Sequence, residues 1–187
     1  MGYALFANRK LYYVSMVNEI QMQLDSIAQQ KQNLLNFNAS IADGHVTLDE
    51  ALADPSIPAW RKAELRVLKQ YGGEEQLSYL AGEKVPHSTP GATRPDLVRK
   101  VGDHIEAIEV KYYDLDSPGC RSTLYRELER EVAARMTDLP PNSTQRVVLD
   151  VTGRHFSNET ITMVKETIQS KLLNIYGSNI PVDIVGL

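Results

Sequence analysis

From Thr93 to Val185 strand-like and helix-like stretches alternate, and that order limits the fold more than any other feature of the chain. Runs rich in β-branched and aromatic residues at Thr93–Arg99, His104–Tyr113, Gln145–Val151 and Pro181–Val185 read as strands. Between them, Arg121–Thr137 carries Leu124, Leu128, Val132 and Met136 at helical spacing. Asn158–Tyr176 does the same with Ile161, Val164, Ile168, Leu172 and Ile175. Gly102-Asp103 supplies turn chemistry between the first two strands, and Pro140-Pro141 and Gly153 punctuate the rest. The first two strands therefore fold as a hairpin. The strand–helix–strand–helix–strand order that follows requires parallel pairing, with helices on the sheet faces. The expected fold class is α/β, a mixed sheet flanked by helices.

Upstream, Asn8–Asn36 reads as a helix. Tyr13, Val17, Ile20, Leu24, Ile27, Lys31 and Leu34 are spaced alternately by four and three residues, a heptad seam with one charged interruption. Thr47 and Glu50 match the capping-box pattern of a short helix. A helix from Ala59 to Gln70 stops at Gly72-Gly73, Glu74–Leu80 reads as a short helix, and Val85–Gly91 as extended or looped. The expected division is an N-terminal helical segment and connector over 1–58 and an α/β domain over 59–187.

Two short strings sit on the hairpin. Pro95-Asp96 lies on its first strand and Glu109-Val110-Lys111 on its second. Folding at Gly102 brings Asp96 near Glu109 and Lys111, and strand alternation puts Glu109 and Lys111 on one face with Val110 opposite. Two carboxylates suit a hard cation such as Mg²⁺ or Mn²⁺. A lysine beside it holds or activates a water and offsets charge building on a phosphate.

Composition narrows the remaining classes. A net charge of −4 argues against nucleic-acid binding by bulk positive charge, though not against a local basic face. The single cysteine, Cys120, excludes an intramolecular disulfide, and the four histidines lie far apart in sequence. No apolar run approaches membrane-spanning length, and the N-terminus lacks a secretory h-region, so the expected location is the cytoplasm.

The order helix, hairpin with Pro-Asp and Glu-x-Lys, helix, strand resembles the core of the restriction-endonuclease-like, or PD-(D/E)xK, nucleases. Pro95-Asp96 and Glu109-Val110-Lys111 match that motif literally, and the likeness covers about residues 73–187. Gly91–Asp96, Glu109–Leu115, Tyr125–Leu128 and Thr144–Gly153 also look like a nuclease domain from the C-terminal end of bacterial polymorphic and contact-dependent inhibition toxins. This chain is shorter than such toxins, with a helical segment where they carry a delivery region. The likeness implies a DNA or RNA substrate, a bacterial immunity protein as partner, and delivery into a target cell. It also implies an acidic residue from the first core helix, for which Glu75 is preferred and Glu74 is the alternative.

On this reading Asp96 and Glu109 hold the metal, and Lys111 and Glu75 complete the catalytic set. Arg94, Arg121, Arg126, Arg130 and Arg135 are candidates for the nucleic-acid backbone, Tyr113 for stacking a base, and Gln145 for orienting a water or binding phosphate. Glu127, Glu129 and Glu131 intersperse the arginines, so a solvated helix face laced with ion pairs explains that stretch nearly as well. The heptads suit packing on the same chain, a homodimer or a partner helix. The competing expectations are a non-catalytic interaction module on the same fold, and a structure-specific nuclease of DNA repair or recombination.

Overall fold

The computed structural model describes residues 2–187, with side chains from Tyr13 onward. The chain divides into two compact units, 1–54 and 55–187, four residues earlier than the expected division.

The first unit is helical. α1 spans Gly2–Ala42, longer at both ends than the sequence pattern. Its polar side chains bond one turn apart, Gln21 to Asp25 at 2.8 Å and Gln29 to Asn33 at 2.9 Å. The heptad residues Val17, Ile20, Leu24 and Ile27 are exposed. α2 is Leu48–Ala53, opened by the expected capping box. The Thr47 N–H donates to Glu50 Oε2 at 2.8 Å and the Glu50 N–H to Thr47 Oγ1 at 3.3 Å.

The second unit begins with α3, Ala59–Tyr71. β1 (Ser78–Leu80) and β2 (Glu83–Val85) form a separate hairpin. The main sheet has β3 (Leu97–Val101), β4 (His104–Lys111), β5 (Thr144–Asp150) and β6 (Val182–Val185), in that spatial order. β3 pairs antiparallel with β4, and β4, β5 and β6 run parallel. α4 (Pro118–Asp138) links β4 to β5, and α5 (Asn158–Tyr176) links β5 to β6. The α/β class with a mixed sheet is therefore observed.

The sheet is covered on both faces, as parallel pairing demands. On one face Leu124, Leu128 and Val132 of α4 and Val164, Ile168 and Leu172 of α5 meet Val147 and Leu149 of β5. On the other, Ala63 and Val67 of α3 meet Ile108, Val110 and Val148. α4 starts at Pro118 rather than Arg121, because Ser117 caps it by accepting from the Cys120 N–H and proline suits the first helical position.

Three expectations change. Glu74–Leu80 is not a helix. The Glu74 N–H and C=O pair with Val98 at 2.8 and 2.9 Å, Gln76 takes φ 62°, and Ser78–Leu80 is strand. The first long strand begins at Leu97 rather than Thr93, since Thr93 pairs with Tyr79 and Pro95 has no N–H for a ladder. The inward face of α4 continues into Arg135 and not Met136, which is 49% exposed.

At the far edge of the α3 face a charged ladder crosses the sheet. Arg99 and Arg146 donate to Glu106 at 2.6 and 3.0 Å, and Arg146 and Tyr71 donate to Asp183. Burial first, then the Asp183 carboxylate, push the Tyr71 phenol up to about 12. A raised folded-state value means the interaction stabilises fully below the unfolded phenol value near 10 and is lost as pH rises toward 12. Thermal melting between pH 9 and 12 should therefore steepen its decline over that window, and Tyr71→Phe should flatten it. Gly73 sits at φ 118°, where an added Cβ would lie 2.8 Å from the Val98 carbonyl oxygen. Gly73→Ala should cost more than about 1 kcal/mol in urea unfolding, and a neutral result would show that the Glu74–Val98 pairing yields easily.

Candidate active site

Pro95 sets up the site. The β3–β4 register, with Leu97 opposite Ile108, places Val110 across from a residue that ends the ladder. The side chain of Asp96 takes over, and its Oδ2 accepts from the Val110 N–H at 2.8 Å. One hydrogen bond thus ties the Pro-Asp string to the centre of the Glu-x-Lys string.

Glu109 and Lys111 point to the α4 side of the sheet, and Val110 to the α3 side. The Lys111 ammonium lies 2.5 Å from Glu109 Oε1 and 3.0 Å from Glu131 Oε2, with Glu127 Oε2 at 4.0 Å. Arg135 donates to the other Glu109 oxygen. The Glu109, Arg135 and Lys111 side chains are only 5%, 3% and 10% exposed. Glu127, Glu131 and Arg135 recur every four residues, which lines them along one side of α4 beside its apolar stripe.

The electrostatics follow from burial and these partners. Burial alone would raise Glu109, but Arg135 and then Lys111 more than offset it and hold the carboxyl well below the usual range. Burial lowers Lys111, yet Glu109 and Glu131 outweigh it, so the ammonium holds its proton more tightly than a free lysine. Burial lifts Asp96 well above the ordinary carboxylate value, and the charges of Glu109 and Glu64 add to the shift. Glu131 is raised by burial and by Glu109, and Glu64 is raised chiefly by burial.

Asp96, Glu109, Lys111, Glu131 and Arg135 line one open cleft of about 460 Å³, with Arg94 and Arg130 also on its wall. The other expected residues lie elsewhere. Glu75 forms a two-pronged ion pair with the buried Arg61 of α3 and does not line this cleft. Glu64 of α3 pairs with Arg61 at 2.7 Å; its charge raises Asp96, and it is itself raised by Glu75 and Glu109, though it does not line the cleft. Arg121 donates to the carbonyls of Leu115 and Asp116 and holds the loop into α4. Tyr113 donates to Glu127 at 2.5 Å while packing on the α4–α5 core. Arg126 is exposed, and Gln145 is buried beneath α4 and lines a different cleft. Arg94 is exposed at the rim and contacts His87.

Arg135 was expected to face the nucleic-acid backbone and Glu131 a solvated helix face, yet both turn inward to Glu109 and Lys111, and Glu64 was not among the expected residues. The signal for the first two was their position beside Leu128 and Val132 on a helix with one apolar stripe. Glu64 lay within the expected helix 59–70, three residues from Arg61.

The donor chemistry fits a hard cation. Burial chiefly, and then the charges of Glu109 and Glu64, disfavour the ionised form of Asp96, and a divalent ion would offset those like charges. Both oxygens of Glu109 are engaged by cationic side chains, so a metal ligand role for Glu109 requires Arg135 or Lys111 to yield one. Among the described residues, no group of three His, Cys, Asp or Glu side chains is gathered closely enough to hold a metal by itself. No helix of the described residues is long and apolar enough to cross a membrane. Comparison with protein-family models, with curated proteins and with solved structures returned no match.

Removing one member of a buried ion pair costs about 3–5 kcal/mol, because the other is left uncompensated. Arg135→Met should destabilise by that order in denaturant unfolding. Adding Glu109→Gln to it should recover part of the loss; strictly additive losses would show that the two side chains do not act as a pair.

Proposed function

We propose that residues 55–187 form a metal-dependent nuclease related to the restriction-endonuclease-like superfamily, hydrolysing phosphodiester bonds of DNA or RNA. The observation that carries this reading is the convergence of Asp96, Glu109 and Lys111 on one cleft, tied together by the Asp96–Val110 hydrogen bond. A binding module has no need to gather a buried carboxylate, a half-buried one and a buried ammonium in one open cleft. That convergence favours the enzyme over the interaction module.

In this reading Asp96 and Glu109 hold Mg²⁺ or Mn²⁺, which when bound supplies Lewis-acid polarisation of the scissile phosphate and a more acidic water. Lys111 keeps its proton, so it serves as a fixed cation that orients the water and offsets phosphate charge, not as the base. Arg135 and Glu131 hold Lys111 and Glu109 in place from α4. Glu64 and Glu75 share Arg61 beside the site, and neither lines the cleft; the charge of Glu64 raises Asp96. Arg94 and Arg130 on the cleft wall suit backbone phosphates. A toxin role, with delivery into a target cell and an immunity protein as antagonist, is supported by the sequence likeness. The exposed apolar residues of α1 suit a second helix, from another copy or a partner.

The test is cleavage of plasmid DNA and of total RNA by the full chain with Mg²⁺ or EDTA. Metal-dependent cutting should fall at least about a hundredfold in Asp96→Ala and in Lys111→Met, with both variants still folded by circular dichroism. A folded Lys111→Met that cuts at the native rate would sink the role given to Lys111. No cutting of either substrate would return the interaction module.

A further inference from the structure

α4 ends between two clefts. Asp96 and Glu109 line one; the other is larger, about 580 Å³, and lies against the loop from α4 to β5. Arg135 lines both. The larger cleft has apolar walls from Met136, Leu139, Pro140 and Tyr176, with Gln145 of β5 at its inner side. The Tyr176 hydroxyl donates to the Ser143 carbonyl at 3.3 Å, which ties that ring to the loop.

Two polar atoms here have no hydrogen-bond partner among the described residues, Gln145 Oε1 and Arg135 Nε. Their residues are only 4% and 3% exposed. Buried polar atoms are nearly always paired, so an orphaned acceptor and an orphaned donor on two residues that line one cleft call for a ligand. The Gln145 nitrogen is directed at the Val132 carbonyl at 3.5 Å, which leaves the oxygen to accept.

The surroundings select the ligand's chemistry. Among the described residues lining this cleft Arg135 is the only cation, and it is already engaged by Glu109; Glu83 adds negative charge. The carbonyl end of α4 also faces this region, with the Asp138 carbonyl accepting from the Gly82 N–H. A phosphate is disfavoured there. A flat, neutral group with an N–H edge is favoured, and beside a phosphodiester site that describes a nucleobase.

We propose that this second cleft is a nucleobase subsite, taking one unstacked base of the strand held at the Asp96–Glu109–Lys111 cleft, with Gln145 accepting from its amino or ring N–H edge. This rests on the nuclease reading and deepens it. The substrate is a strand with an unpaired nucleotide next to the cut, and not a uniform duplex.

The test measures binding in EDTA, where no cutting occurs, by fluorescence polarisation of a labelled single-stranded oligonucleotide on the full chain. An abasic nucleotide is moved through the strand one position at a time. The expected result is one position at which loss of the base weakens binding about tenfold, and loss of that position dependence in Gln145→Met. The scan on native protein decides if Gln145→Met fails to fold. Uniform tolerance of abasic positions, or a folded Gln145→Met with the native profile, overturns the subsite. Metal-dependent cutting of the same strand alongside uniform tolerance leaves the nuclease standing and removes the subsite alone. Absence of both binding and cutting overturns the two together.

Discussion

The second unit is organised around a carboxylate that has no business being buried alone. Glu109 lies at the centre of the sheet, under α4, with almost no contact with water. It is tolerable there because Lys111 on its own strand and Arg135 on the covering helix each take one oxygen. That requirement fixes the seat of α4 on the sheet, since Arg135 must reach β4 while Leu124, Leu128 and Val132 fill the core beside it. Replacing such a charge pair by hydrocarbon is often no less stable, so its presence in a well-packed core is not accounted for by stability alone.

The same arrangement explains the distribution of charge in the proposed site. Lys111 is held as a cation by three carboxylates, and Asp96 is pressed toward its neutral form by burial and by Glu109 and Glu64. A site with carboxylates under mutual repulsion is poised to gain from a divalent ion. Arg135 and Lys111 occupy the oxygens of Glu109 that such an ion would claim, so metal binding and the α4 contacts compete for one group.

Much of the fold was legible because its signals are local. α5 runs from Asn158 to Tyr176 as its pattern implied, since Ser157 caps one end and Gly177 turns left-handed at the other. The hairpin turns at Gly102, whose φ of 59° suits the first place of a two-residue loop. The errors lie where distant pairing decides. Glu74 is extended because Val98, far along the chain, takes both its backbone groups. In the site, Asp96, Glu109 and Lys111 were readable because alternation along one hairpin places them. Glu131 and Arg135 were expected on a solvated or nucleic-acid-facing side of the helix, because charged residues on a helix usually face water, whereas the buried Glu109 draws them inward. Glu75 was preferred over Glu74 as a residue of an expected helix Glu74–Leu80 that does not form, and Arg61 captures Glu75 with both terminal nitrogens.

The most direct test of the central claim is metal binding at Asp96 and Glu109, read without any substrate. Mn²⁺ titrated into isotope-labelled protein should selectively broaden the amide signals of residues 96 and 109–111, and Asp96→Asn should abolish the effect. Broadening spread over surface carboxylates with the Val110 amide untouched, or unchanged in Asp96→Asn, would contradict a metal-dependent site at this hairpin.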